Sequence, residues 1–149
     1  MKTMLMTAIK TSISEVMETM FFLPVEFGRE LALAQSRIDK YNFYFACQLT
    51  FTGDLSGHLI IMAPKSLVAE MAENFMGETK ELLTDEHLSG TLMEMLNMVC
   101  GNALSKTNSQ VPFEMGIPEM INASEVSENE VFIIVETTES KMAIALKMD

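Results

Sequence analysis

Two hexapeptides of the same pattern follow helix-like segments in the two halves of the chain. Residues 23–28 read Leu-Pro-Val-Glu-Phe-Gly, and residues 111–116 read Val-Pro-Phe-Glu-Met-Gly. A repeated unit of helix, hexapeptide and strands predicts an internal duplication. We therefore expect a fold of two similar halves related by a pseudo-twofold axis.

Hydrophobic periodicity predicts the elements of each half. Residues 5–22 carry a helical apolar stripe that Pro24 ends, and residues 28–37 are ambiguous. Residues 41–52 and 58–63 are strand-like, and a helix from Pro64 to about Phe75 connects the halves. A long helix follows Thr84 and runs to about Lys106. The segments 112–122, 130–138 and 141–148 are strand-like.

The predicted fold class is α/β (α+β), with duplicated α-β-β-β halves over about 5–63 and 84–148 and the connecting helix at 64–76. Residues 1–149 are expected to form a single domain, because no linker or low-complexity stretch interrupts them. The sheet should be antiparallel or mixed, with the long helices packed on one side.

Composition excludes several functions. A net charge of -11 argues against nucleic-acid binding, since phosphates would be repelled. No basic amphipathic stretch suits an anionic membrane surface, and no apolar run approaches the roughly 20 residues that span a bilayer. The N-terminus lacks the pattern of a signal peptide. We therefore expect a cytoplasmic protein.

Neither cysteines nor histidines indicate a metal site. Cys47 and Cys100 are expected to be free and buried, while His58 and His87 lie far apart in sequence without a ligand-type spacing. The 15 methionines are interpreted mainly as core filling.

The long helix separates into two faces when its residues are projected at 100° each. The core face carries Leu92, Leu96, Val99 and Ala103, and the opposite, polar face carries His87, Gly90, Glu94, Asn97, Gly101 and Ser105. Met95 and Met98 are expected at the edges of the polar face, where they would touch a partner.

The start of this helix, Thr84 to His87, places acids in the first turn but lacks the full capping box.

Glu94 and Asn97 lie one helical turn apart on the polar face, and Gly90 and Gly101 flank them. A glycine inside a helix costs about 1 kcal/mol relative to alanine, so its presence usually reflects a close approach. That approach could be a partner surface lying on a flat strip, or a neighbouring helix within the fold. The spacing alone does not decide between them.

Aligning the two halves places Glu15 opposite Glu94, Glu18 opposite Asn97 and Phe22 opposite Gly101. The first copy thus has an acid where the second has an amide. We interpret it as a degenerate copy of any site that the second copy forms.

The run from Glu94 to Ala103, Glu-Met-Leu-Asn-Met-Val-Cys-Gly-Asn-Ala, resembles the signature helix of the CheC/CheX/FliY phosphatases of bacterial chemotaxis. An intact Glu-x-x-Asn beside a degenerate first copy is most similar to the CheX-like members. The resemblance covers essentially the whole chain.

The resemblance implies a hydrolase of two-component signalling that acts on the phospho-aspartate of a CheY-like response regulator. Glu94 would pair with a lysine of the receiver, and Asn97 would orient the attacking water. Gly90, Met98 and Gly101 would contact the partner, and Asn102 would give structural support. The receiver would supply Mg²⁺, so no cofactor or metal of the chain's own is expected. A homodimer formed by joining sheets is also implied.

Two other functions remain open at this point. The chain could be a non-catalytic receiver-binding adaptor of the chemotaxis or flagellar switch system, or a purely structural dimerisation domain. The pair Glu94 and Asn97 argues against the first, and the small-residue strip argues against the second.

Overall fold

A computed structural model describes residues 2–36, 44–107 and 112–149. Its helices are α1 (Lys2–Met20), α2 (Lys65–Met76) and α3 (Asp85–Ser105). Its strands are β1 (Glu26–Ala32), β2 (Tyr44–Thr52), β3 (Gly57–Pro64), β4 (Glu114–Met115), β5 (Glu119–Ile121), β6 (Val131–Glu136) and β7 (Lys141–Met148). Short 3₁₀ turns lie at Leu33–Gln35, Lys80–Leu82 and Ala123–Glu125.

The strands form one antiparallel sheet in the order β1-β6-β7-β3-β2-β4, with β5 also paired to β2. Exchanging β1 with β4/β5, β2 with β6 and β3 with β7 reproduces the same order read backwards. Strands β1 and β4 begin at the glutamates of the two repeated hexapeptides, Glu26 and Glu114, and occupy equivalent edges of the sheet. The topology therefore has the predicted pseudo-twofold form. A single domain and a duplication as its origin stay predictions, and so does a homodimer joined through its sheets.

Most predicted elements are confirmed, and one prediction needs correction. Where the pattern of residues 28–37 was ambiguous, the structure has β1, which begins ahead of that stretch at Glu26 and ends at Ala32. The predicted strand 112–122 is wrong as a single strand, because β4 and β5 are separated at Gly116 to Pro118. Proline has no N–H for a ladder hydrogen bond, so the strand is interrupted there. For the predicted strand 41–52, residues 41–43 lie outside the described part of the chain.

All three helices pack on the same face of the sheet, as predicted. The main core joins their apolar sides to alternate residues of the strands, among them Leu49, Ile61, Val135 and Ile144. The opposite face holds a smaller cluster that includes Met62 and Phe132 and is joined by residues of the turns at 33–35 and 123–125. The helices thus cover one face of the sheet, and the short turns cover part of the other.

Both cysteines are free and buried, as predicted. Burial raises the pKa of the Cys47 thiol and of the Cys100 thiol to about 12. Since the reactive form of cysteine is the thiolate, both side chains are inert packing groups near neutral pH.

The start of β3, where it pairs with the end of β7, leaves no room for a side chain at Gly57. A Cβ added there would meet the carbonyl oxygen of Lys147 on β7. We expect Gly57→Ala to lower the free energy of unfolding by about 1–3 kcal/mol, because the two central strands must move apart. Urea denaturation measures this change.

Gly90→Ala is the matched control: a Cβ there meets nothing within 4 Å, and we expect stabilisation of up to about 1 kcal/mol. Equal stability of the Gly57 variant and wild type would contradict the close approach.

Candidate functional site

The start of α3 is held by a reciprocal cap. The Thr84 Oγ1 accepts a hydrogen bond from the His87 N–H at 3.2 Å, and the His87 Nδ1 accepts one from the Thr84 N–H at 3.1 Å. The prediction that a full capping box is lacking is therefore wrong. The usual rule requires Glu or Gln at the third helical position, and here the imidazole nitrogen provides the acceptor. His87 thus fixes the helix start at Asp85.

The buried side of α3 is wider than its apolar stripe suggests. The predicted core residues are confirmed, and Leu88, Thr91, Met95, Cys100 and Leu104 are buried as well. The helix contacts α1, α2 and the sheet, so it is enclosed on three sides. The prediction that Met95 reaches a partner is wrong, because its exposed fraction is 0%.

The remaining face of α3 carries the predicted polar pair. Glu94 is exposed and Asn97 is half-buried, and their positions differ by about 4.5 Å along the helix axis. Within the described residues, no hydrogen bond or ion pair engages either side chain, although many other polar groups of the helices are paired. Both groups are available to a partner molecule.

Neither flanking glycine is required by packing against the residues that the structure describes. A Cβ at Gly90 would meet nothing within 4 Å, and one at Gly101 would meet only the Met115 side chain, at an ordinary contact distance of 3.6 Å. The alternative that these glycines accommodate a neighbouring helix is therefore wrong. The strip formed by Gly90, Glu94, Asn97 and Gly101, called here the polar strip, is bare towards solvent.

The degenerate copy on α1 is engaged internally. The Asn102 Nδ2 donates to the Glu15 carboxylate at 3.0 Å, and the Lys106 Nζ donates to it at 3.1 Å. These hydrogen bonds, that of Asn102 first, lower the pKa of the Glu15 carboxyl. This contact between α1 and α3 gives a physical basis for the predicted supporting role of Asn102, which stays a prediction.

Two further predictions concern the surroundings of the polar strip. Met98 is half-buried and borders the strip, so its contact with a partner stays a prediction. In the described part of the chain, no three His, Cys, Asp or Glu side chains are grouped so that they could hold a metal ion. Among the same residues, no helix is both long enough and apolar enough to cross a membrane.

Comparison with known proteins identifies the family. The model of the chemotaxis phosphatase CheX family matches residues 45–138, which is more than half of the chain. The chain belongs to the CheX family. The resemblance predicted from the signature helix is thereby confirmed. No protein with a curated description matches the sequence.

Solved structures show the CheX fold over nearly the whole chain. Chemotaxis protein CheX from Vibrio vulnificus has 19% identity and a TM-score of 0.76, covering 97% of this chain and 96% of its own. The CheX-CheY-BeF3-Mg+2 complex from Borrelia burgdorferi matches with 15% identity and a TM-score of 0.77, covering 97% of both chains. Thermotoga maritima FliY has 18% identity and a TM-score of 0.59, covering 94% of this chain and 84% of its own.

Sequence reasoning missed an apolar groove beside the polar strip of this CheX family member. The groove lies between the last turn of α2 and the first turns of α3, and Phe75 and Met76 form one of its walls. Periodicity assigned both residues simply to a helix end. The sequence signal that could have indicated the groove is their position directly before Gly77, which ends α2 in the αL conformation. Apolar side chains at such a helix end extend beyond most of the core.

The cap on α3 can be tested by removing its acceptor. We expect Thr84→Ala to lower the free energy of unfolding by about 1 kcal/mol, because the His87 N–H loses its partner. Thermal denaturation followed by circular dichroism measures the change. Thr84→Ser, which keeps the hydroxyl, should remain close to wild type. Equal loss in both variants would show that the methyl group, not the cap, matters.

The contact between Glu15 and Asn102 can be tested by titration. We expect Asn102→Ala to raise the pKa of the Glu15 carboxyl towards its ordinary value, because that hydrogen bond is the largest cause of the lowering. NMR of the side-chain carboxyl carbons across acidic pH measures this. Asn97→Ala should leave the Glu15 titration unchanged, since Asn97 has no contact with it. A pKa of Glu15 unaffected by Asn102→Ala would contradict the contact.

Proposed function

We propose that the chain accelerates hydrolysis of the phospho-aspartate of a CheY-like response regulator. The observation that carries this proposal is the bare polar strip: among the residues that the structure describes, Glu94 and Asn97 have no hydrogen-bond or ion-pair partner, and the glycines beside them have no packing role. Membership of a chemotaxis phosphatase family supports the same reaction. A complex of a CheX with CheY, BeF3 and Mg+2, in a protein of similar fold, supports the same partner.

Asn97 would orient the attacking water. Its amide can accept a hydrogen bond from the water and donate one to a phosphoryl oxygen. The water oxygen bonds to phosphorus while the bond from phosphorus to the aspartate oxygen breaks. The aspartate is regenerated as a carboxylate, phosphate leaves, and one proton passes to solvent near neutral pH. Phosphoryl transfer depends mainly on positioning and charge stabilisation, so one well-placed amide is a sufficient contribution from this chain.

Glu94 would hold the receiver in register. A carboxylate forms a strong, charge-assisted hydrogen bond with an ammonium group, and a receiver lysine would provide it. The receiver would also bring the Mg²⁺ that neutralises the phosphoryl oxygens, so the chain needs no metal of its own. We expect this reaction to take place in the cytoplasm, as composition predicts.

Phosphate release from Mg²⁺-bound, phosphorylated receivers tests the proposal. We expect wild type to accelerate release, and Asn97→Ala to lower kcat by about 100-fold or more through loss of water positioning. The near-isosteric Asn97→Asp should lose activity too, because a carboxylate cannot donate to the phosphoryl group. Glu94→Ala should weaken receiver binding about tenfold, through loss of one charge-assisted hydrogen bond.

Glu18→Ala is the matched control for this experiment. Glu18 occupies the position on α1 that aligns with Asn97 and is exposed there, so its removal should leave the rate unchanged. Binding of receivers without any acceleration by wild type would rule out the phosphatase and leave the adaptor. Full activity of Asn97→Ala would rule out Asn97 as the residue that orients water.

A further inference from the structure

The apolar groove beside the polar strip has a volume of about 580 Å³. Its apolar wall comes from α2, its floor from the bare backbone of α3 at Gly90, and its rim from polar side chains. The residues that line it are Phe75, Met76, Glu86, His87, Gly90, Thr91 and Met93.

The wall of the groove is exposed yet held in place. Phe75 and Met76 are 40% and 42% exposed, large fractions for residues of their kind. The Phe75 ring lies against the buried Phe21 ring, with centroids 5.4 Å apart. The neighbouring Asn74 Nδ2 donates to the Phe21 carbonyl oxygen at 2.7 Å. The groove wall is therefore held in place where the chain that leaves α1 at Phe21 packs against the end of α2.

The floor of the groove belongs to the polar strip. Gly90 precedes Asn97 by seven residues, about 10 Å along the α3 axis. A standard interface covers about 800 Å² on each partner, a disc of about 16 Å radius. A partner whose reactive group reaches Asn97 therefore covers the groove as well.

We propose that this groove receives an apolar side chain of the phosphorylated receiver, one that projects about 10 Å from its phospho-aspartate, and so selects which receivers the chain acts on. The inference rests on the proposed function and names the contact that sets its specificity. An aliphatic or aromatic side chain fits, because the wall is phenyl and thioether and the floor is open.

Charge favours an apolar contact at this surface. The chain has a net charge of -11, Glu86 lines the groove, and Glu94 lies one helical turn beyond Gly90 on the polar strip. The phospho-aspartate of a receiver is itself anionic, so the net charge of this chain does not attract it and short-range contacts must supply the affinity. Protein interfaces draw most of their binding energy from a few desolvated anchors, and the groove is the place for one here.

Two variants alter the groove and leave Glu94 and Asn97 intact. Met76→Gln makes the exposed wall polar, and Gly90→Leu fills the floor where added atoms have open space. Met4→Gln is the matched control, an exposed methionine on α1 that does not line the groove. Circular dichroism and thermal denaturation confirm that each variant folds.

The measurements separate binding from chemistry. We expect Met76→Gln and Gly90→Leu to raise KM for the phosphorylated receiver about tenfold or more and to change kcat less than about twofold. Titration of the Mg²⁺- and beryllofluoride-bound receiver should give the same weakening in Kd. Met4→Gln should match wild type in every measurement. Replacing the apolar residue of the receiver by serine should weaken wild type and have no further effect on Gly90→Leu.

The outcomes distinguish this inference from the proposed function. If both groove variants have the KM and Kd of wild type while Asn97→Ala has lost activity, the groove inference is overturned and the phosphatase proposal stands. If wild type binds the receiver without accelerating phosphate release, and the groove variants bind it more weakly, the groove inference stands and the phosphatase proposal is overturned. A change in oligomeric mass of Met76→Gln by ultracentrifugation, with unchanged Kd, would mean that a second copy occupies the groove and would overturn the proposal.

Discussion

The enclosure of α3 by α1, α2 and the sheet is the packing on which the candidate site depends. Leu92, Leu96 and Val99 are fully buried, and Met95 extends that burial towards a second side. A helix that is packed against other elements on three sides cannot rotate without disrupting those contacts, since protein interiors are close-packed. Its fourth side therefore presents Glu94 and Asn97 in a fixed orientation. The cap by Thr84 and His87 fixes where this rigid element begins.

The two halves share a topology but use their equivalent acids differently. Glu15 on α1 accepts hydrogen bonds from Asn102 and Lys106, whereas Glu94 on α3 has no partner within the described residues. One copy of the motif thus strengthens the contact between the helices, and the other faces outwards. A pseudo-symmetric sheet can carry both uses, because symmetry of the backbone order places no demand on surface side chains.

The polar strip and the groove together resemble a small interface in its unbound form. Polar groups for chemistry lie on bare backbone, and exposed apolar side chains stand close by, where a partner would desolvate them. Each feature has a cost to the isolated chain: glycines weaken the helix, and Phe75 and Met76 expose apolar area. Under the proposed function, a partner would bury the apolar area of Phe75 and Met76 and would use the close approach that the glycines permit.

The sequence by itself determined the elements and the candidate pair. Apolar periodicity, together with the positions of proline and glycine, indicated α1, α2 and α3, and the extended motif from Glu94 to Ala103 indicated the family. The repeated hexapeptides indicated two similar halves, whereas most of β1 fell in a stretch whose pattern was ambiguous. These features are local, because they depend on the spacing of residues along one helix or strand. Even so, the break between β4 and β5 was missed, although Pro118 was visible in the sequence.

Only the tertiary structure decided which surfaces remain available. Met95 is buried because α3 contacts elements from both halves, and no single-helix projection contains those neighbours. Glu15 is hydrogen-bonded to α3, whereas in the described part of the chain Glu94 has no partner and Gly90 has no packing role. These too are facts about atoms distant in sequence. The groove exists for the same reason, since its walls come from α2 and α3 and meet only in the folded chain.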